Sequence, residues 1–222
     1  MSLFQSPTNM KNHAMNHPTK SRLNALSLLA CAALALLLAA CGAPRPIKYY
    51  QLTYPAPQAP QQAPLNVSLL VRAFEGSTLY KDDRIVYNTS PIELGIYETQ
   101  RWVTPPVEML QDALVRGLRA GGRFRSVMTV RGEGGGDFSL AGRIYEFGEI
   151  DGAEIAARLN YVVRLRDRKS GMIVWTHTYN HDEPAGAKTV SAVVTAMDRN
   201  VQRSVEEVQA GLDEYFRANP PK

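Results

Sequence analysis

Ile155-Ala156-Ala157-Arg158-Leu159-Asn160-Tyr161-Val162-Val163-Arg164-Leu165-Arg166 is followed by Asp167-Arg168-Lys169-Ser170-Gly171, and then by Met172-Ile173-Val174-Trp175-Thr176-His177-Thr178-Tyr179. Apolar and polar side chains alternate on both sides of a five-residue turn. Period two marks a strand with one buried face, because successive Cβ atoms point to opposite sides of the chain. Ile155, Ala157, Leu159, Tyr161, Val163 and Leu165 take the buried side, while Arg158, Asn160, Arg164 and Arg166 mostly face the other way. Ile173, Trp175, His177 and Tyr179 continue the pattern on the returning strand. Two long strands joined by a short turn run antiparallel, and a sheet with one polar face needs cover on its other face only.

Downstream, that cover is plain. Val190, Val194, Met197, Val201, Val205, Val208, Leu212 and Tyr215 recur every three or four residues, the spacing of a helix with one apolar face. Upstream, Phe124 to Val130 and then Phe138, Leu140 and Ile144 alternate as strands, separated by the glycine-rich stretch 132–136. A second helix is predicted after Thr104 as its cap, with Pro105 at the first position, Glu108 in the first turn, a Leu110, Leu114 and Leu118 stripe, and Gly121-Gly122 as its stop. Before it, Arg84 to Tyr87 and Ile92 to Tyr97 flank the turn-rich Asn88-Thr89-Ser90-Pro91 as a hairpin, and Val67, Leu69 and Val71 form a strand with one buried face. These elements predict an α+β fold: a two-layer sandwich of a largely antiparallel sheet with both helices packed on one face.

The N-terminal quarter has another character. From Ala25 to Ala40 only Ser27 and Cys31 interrupt alanine and leucine, and Lys20 and Arg22 precede the run. Sixteen helical residues would reach only about 24 Å, short of the roughly 30 Å hydrocarbon core of a bilayer. The segment reads as a cleaved export signal. It ends Leu38-Ala39-Ala40-Cys41-Gly42, which resembles the lipobox of bacterial lipoproteins, with cleavage between Ala40 and Cys41 and acyl chains attached through the Cys41 sulfur. Gly42 rather than aspartate after the cysteine favours the outer membrane by that same resemblance. Met10 and Met15 offer alternative starts. Gly42 to Pro64 carries six prolines among Gln and Ala, an extended tether interrupted by Tyr49-Tyr50-Gln51-Leu52, which can dock as a first strand. The expected organisation is 1–40 signal, 41–64 lipidated tether and 65–217 domain.

Charge and cysteine count exclude several classes. Lys11, Lys20 and Arg22 lie before Cys41, where there is no acidic residue, so removing three of the twenty-five basic residues leaves 22 against 21 acidic ones. A nearly neutral mature chain gives no footprint for nucleic acid. Of two cysteines, Cys31 leaves with the signal, which excludes a disulfide framework or a thiolate metal site.

His177 and His181 straddle a strand end with Asp182 close by, and no metal site is expected there. No catalytic residues are expected either: the chain lacks a Gly-x-Ser-x-Gly elbow, a His-Glu-x-x-His motif, a cysteine nucleophile or a phosphate loop with its lysine. Glu146, Glu149 and Asp151 read as solvated carboxylates near a turn. Arg84, Tyr87, Tyr97, Arg101 and Trp102 mix aromatic rings with arginine, the composition of protein interfaces, and are the candidate partner-binding residues. Closure of the sheet edge under the first helix is the alternative, above all for Trp102.

Tyr49-Tyr50-Gln51-Leu52 after the lipobox, Arg84-Ile85-Val86-Tyr87 through to Tyr97, Arg101-Trp102 with Pro105-Pro106, and Met172-Ile173-Val174-Trp175 before the last helix together resemble the ABC-type transport auxiliary lipoprotein family. The resemblance implies a non-catalytic periplasmic lipoprotein serving a lipid-trafficking system. Its implied partners are an MCE-domain protein bridging the periplasm and an inner-membrane ABC permease or related membrane protein. The lipoprotein would dock the bridge at the outer membrane, with no cofactor beyond the covalent lipid on Cys41; a homo-oligomer stays open. The alternatives are an outer-membrane assembly-factor lipoprotein and a stand-alone lipid-binding module, the latter calling for an apolar cavity between sheet and helices.

Overall fold

The computed structural model describes residues 45–53, 63–90, 92–129, 135–152 and 154–221. The signal segment, Ala40, Cys41 and most of the tether lie outside the described residues, as do Pro91 and most of the glycine-rich stretch. From Pro46 onward the chain is one compact unit. Its strands are β1 (Lys48–Tyr50), β2 (Leu65–Val71), β3 (Arg84–Ser90), β4 (Glu93–Trp102), β5 (Phe124–Thr129), β6 (Phe138–Ile150), β7 (Ala156–Asp167) and β8 (Ile173–Pro184). The helices are α1 (Pro106–Ala120) and α2 (Val190–Ala218). The fold is α+β, an open mixed sheet with two helices.

The long strand β6 organises the sheet. One of its edges is taken along its whole length by β7, antiparallel from Phe138↔Asp167 to Ile150↔Ala156, and β8 pairs β7 beyond it. The other edge forks. Its first residues, Phe138–Leu140, pair parallel with β2, which carries β5. Its last two, Glu149 and Ile150, pair parallel with β3, which carries β4 and then β1. The ladders foreseen by the alternating pattern are the long antiparallel ones; the parallel joints at β1, β2, β3 and β5 join segments distant in sequence, which a local pattern does not report.

Both helices pack against the sheet and against each other. Glycine permits two close approaches: a Cβ on Gly117 would stand 2.3 Å from Val205 Cγ1, and one on Gly211 would stand 2.7 Å from the Trp175 ring. Between the layers Trp102, Tyr161, Phe147, Phe216, Leu110, Leu114 and Leu140 are fully buried, each worth about 1.5–3 kcal/mol in area removed from water. Asn200, on α2, is among the buried polar residues. Its Nδ2 donates to the Ala157 and His181 carbonyls at 2.9 and 3.0 Å, and its Oδ1 accepts from the Tyr179 hydroxyl at 2.6 Å. One side chain thus fastens α2 to β7 and β8 together.

Three local expectations are corrected. Pro105, not Thr104, is the cap of α1, and Pro106 is its first residue. A residue that precedes proline is pushed out of the helical region, so Pro105 stays extended (φ −55°, ψ 146°) and the start moves one residue on. The turn foreseen at Asn88–Pro91 lies further along, because β3 continues to Ser90. Strand β2 is buried on both faces from Val67 to Val71, Ser68 and Leu70 included, and lies inside the sheet between β5 and β6.

The segment Tyr49–Leu52 does join the sheet. Lys48–Tyr50 pairs parallel with Gln100–Trp102, the Tyr50 hydroxyl donates to Gln100 Oε1 at 2.8 Å, and Leu52 is 3 % exposed. Thr53 then binds the Asp198 carboxylate on α2 with both its backbone N–H, at 2.7 Å, and its hydroxyl.

Candidate functional site

The β3–β4 hairpin gathers most of the candidate partner-binding residues. Arg84 and Arg101 stand opposite each other in the antiparallel ladder. Each is held by a neighbouring carboxylate: Arg84 Nε donates to Asp82 at 2.8 Å and Arg101 Nη1 to Asp83 at 2.6 Å. Hydrogen bonds from the Arg84 guanidinium and backbone N–H hold the Asp82 carboxyl down to about 2. Both arginines are partly exposed, and their charges are compensated in place rather than consumed in the core.

Further along, the Tyr87 ring lies over Gly95, where an added Cβ would stand 2.2 Å from the ring, and its centroid is 4.7 Å from that of Tyr97. The Tyr97 hydroxyl donates to Glu149 Oε2 at 2.9 Å. Glu149 is 5 % exposed, so its reading as a solvated carboxylate is corrected. Strand β6 runs on to Ile150 under β3, and there burial raises the Glu149 pKa, Tyr97's hydrogen bond lowers it, and the nearby Asp151 charge raises it further. Desolvation followed by the bond to Glu149 also pushes the Tyr97 phenol up.

Trp102 does not belong to this surface. It is 1 % exposed, with its ring edge-on to Phe147 at 5.6 Å, so it closes the core, and its place among the partner contacts is withdrawn. What the sequence did not foreshadow is how open the hairpin is. Among the described residues β4 is paired on its outer edge with β1 at Gln100–Trp102 only, and at its tip Ile92 is 97 % and Leu94 51 % exposed. A strand edge with free N–H and C=O groups beside aromatic rings and arginines is able to take an extended segment of another protein.

The histidines differ from expectation as well. Both lie within β8 rather than straddling its end, and four residues of strand separate them by roughly 13 Å. His177 stacks on Trp175 with ring planes 7° apart, its Nε2 3.5 Å from Glu207 on α2. His181 instead meets Arg203 and Glu183, and Glu183 also accepts from Arg199 at 2.9 Å. Among the described residues no three potential metal ligands converge. On the sheet face away from the helices Arg158 binds Asp182 through two bonds of 2.7 Å and reaches Glu146 at 3.5 Å. Asp182 is thereby held below the usual carboxylate range.

The fold defines a class: an α+β domain of one open mixed sheet and two helices. Comparison with known proteins makes it particular. The chain belongs to the family of ABC-type transport auxiliary lipoprotein components, whose sequence model matches residues 50–209. No curated protein matches it. Among solved structures, protein XCC0632 from Xanthomonas campestris is 22 % identical, with a TM-score of 0.66 over 74 % of this chain and 93 % of that one. A second, uncharacterised protein is 16 % identical, with a TM-score of 0.58 over 74 % and 97 %. At such identities the structures speak for the fold.

Proposed function

We propose that this lipoprotein is a non-catalytic accessory of an ABC/MCE-type intermembrane lipid transport system, anchored by lipid on Cys41 to the periplasmic side of the outer membrane. There it docks the periplasmic MCE-domain bridge protein, whose inner-membrane partner is an ABC permease or related membrane protein. The observation that carries this reading is where the family match begins. Tyr50 lies in β1, the strand that the segment following the lipobox adds to the sheet. A segment that begins seven residues after Cys41 is thus a strand of the domain, which suits a docking device under load.

The grip falls to the β3–β4 hairpin through Arg84, Tyr87, Tyr97 and Arg101. These side chains are partly exposed: Tyr97 stands on the stretch of β4 whose outer edge no described strand pairs, Arg101 stands where β1 joins it, and Arg84 and Tyr87 stand on the neighbouring β3. The buried Trp102 ring and the β1 pairing at Gln100–Trp102 hold one end of that edge in place. The test is affinity purification of the tagged protein from crosslinked, gently solubilised envelopes, with Cys41→Ala as the unanchored control. Recovery of an MCE-domain protein with its permease is expected. A lone β-barrel would replace this reading with the assembly-factor one, and bound lipid without any protein with the lipid-binding one.

A further inference from the structure

We propose that the tip of the β3–β4 hairpin, with Ile92 and Leu94, is a membrane-contact site that dips into the headgroup region of the bilayer carrying the Cys41 anchor. The inference rests on the anchor reading above and adds to it which end of the domain meets the lipid.

Direction and length carry the argument. Strand β1 is parallel to β4 with Lys48 opposite Gln100, so the chain enters β1 from the side on which β4 begins, the hairpin tip. Seven residue steps separate Cys41 from Lys48, and even fully extended they span at most about 25 Å. Seven steps also separate Glu93 from Gln100, which in a strand is roughly 23 Å. A cysteine leashed to Lys48 and drawn along the sheet therefore reaches little beyond the level of Glu93. Its acyl chains can start no farther out than that, so the bilayer surface cannot lie much beyond the tip.

The side chains at that level fit this neighbour. Ile92 is 97 % exposed, the most exposed large apolar residue described, and Leu94 is 51 % exposed. Leu94 shares a strand face with Ile96, which packs on the core, so it continues the apolar face past the point where the helices cover it. Two apolar groups on a narrow turn suit insertion into an interface. Nearby charge is acidic: Glu93 sits between them, and the Asp151 N–H bonds the Asn88 carbonyl at 2.9 Å beside the tip. Contact is thus apolar in origin, and a neutral or zwitterionic surface fits better than an anionic one. The opposite end of the domain supplies an internal control. Phe138 pairs with Asp167 there, while Ile150 pairs with Asn88 near the tip; the thirteen residues of β6 hold these ends roughly 40 Å apart. Met172, 65 % exposed, sits at the far end.

The test is tryptophan quenching in the whole lipoprotein, purified from membranes and reconstituted in phosphatidylcholine vesicles with or without lipid brominated near the headgroup. Ile92→Trp and Met172→Trp are each compared with the parent, whose Trp102 and Trp175 supply a constant background. Both sites are exposed, so neither variant burdens folding. The expected result is loss of the emission added at residue 92 and none of that added at residue 172. With Cys41 acylation confirmed by mass spectrometry, quenching at residue 172 instead, or at neither site, overturns the proposal and leaves the anchor standing. An unacylated Cys41 removes the anchor reading and this inference with it. A blue shift of Ile92→Trp that follows protein concentration without lipid assigns the tip to a second copy and likewise overturns it.

Discussion

Replacing Asn200 tests how the helical layer is held to the sheet. Its amide donates to two carbonyls on neighbouring strands and accepts from the Tyr179 hydroxyl, and its exposure is 0 %. Asn200→Ala deletes three buried hydrogen bonds at about 1 kcal/mol net each. The Tyr179 hydroxyl keeps a 3.2 Å bond to the Asn200 backbone carbonyl, which returns part of that loss, while the vacated side-chain volume adds a similar amount. A loss of about 3 kcal/mol follows. With a urea slope of about 2 kcal/mol/M for a domain of this size, the unfolding midpoint falls by about 1.5 M, read by circular dichroism. Asn200→Asp separates the hydrogen-bond argument from the packing one. Nearly isosteric, its carboxylate accepts from Tyr179 but cannot donate to the two carbonyls, so at pH 7 it is at least as destabilising as alanine and recovers on acidification. A midpoint shift for Asn200→Ala under about 0.5 M, equivalent at that slope to one hydrogen bond or less, would refute the reasoning, as would an aspartate variant as stable as the parent.

Gly95→Val drives the Tyr87 ring off Gly95 and out of contact with Tyr97; it costs about 1–3 kcal/mol by overpacking, and hydrogen exchange should quicken in the hairpin with little change in β7. Glu149 gives a pH signature. Its native pKa is raised, so the native state holds the proton more tightly than the unfolded chain, and stability falls as pH rises from the ordinary glutamate range through the raised native value. Glu149→Gln should flatten that fall and Tyr97→Phe, which removes the one bond favouring the charged form, should steepen it, in urea midpoints compared between pH 5 and pH 8. Arg101→Glu breaks a partly exposed ion pair with Asp83 worth about 1 kcal/mol or less, so midpoints should barely move while crosslinked recovery of the bridge protein drops; undiminished recovery would remove Arg101 from the grip.

The parts of the fold legible in the sequence are those whose burial has a single period. Strand β7 shows the alternation at Ala157, Leu159, Tyr161, Val163 and Leu165 as residues that are all buried, and on β8 Tyr179 is buried and Trp175 and His177 half-buried, while Ile173, expected on that side, is 47 % exposed beyond a register shift at Leu165–Arg166. Where both faces are covered the period fades, which is why β2 read as a half-buried strand. Glu149 was misread for a related reason: a carboxylate before Asp151-Gly152 resembles a turn residue, and only the parallel joint of β3 to the end of β6 places it under Tyr97. Trp102 and Arg101 adjoin in sequence yet take opposite fates, ring inward and guanidinium outward, because successive strand residues face opposite sides. Composition located the hairpin as a surface; the pairing partners of β4 decide which of its residues a partner can reach.

In the proposed role the path of force follows from the topology. A pull on Cys41 enters the domain at β1 and runs along the strand axis, because β1 is parallel to β4 and its N-terminal end points toward the hairpin tip. Hydrogen bonds perpendicular to the strands are then loaded together in shear instead of being opened one at a time. Three ladder residues alone would make a weak joint. Behind them, however, Leu52 is buried in the core and Thr53 bonds Asp198 on α2, so β1 cannot slide without extracting an apolar side chain and breaking a contact to the far layer. From β4 the load passes to β3 and then to β6, the strand that every branch of the sheet shares. The tether thus enters at the edge strand β1 and is joined through β4 and β3 to β6, and the hairpin proposed to hold the partner lies on the same path. Tension between anchor and partner is carried along the sheet, with the Leu52 and Thr53 contacts to the core and to α2 sharing the load at β1.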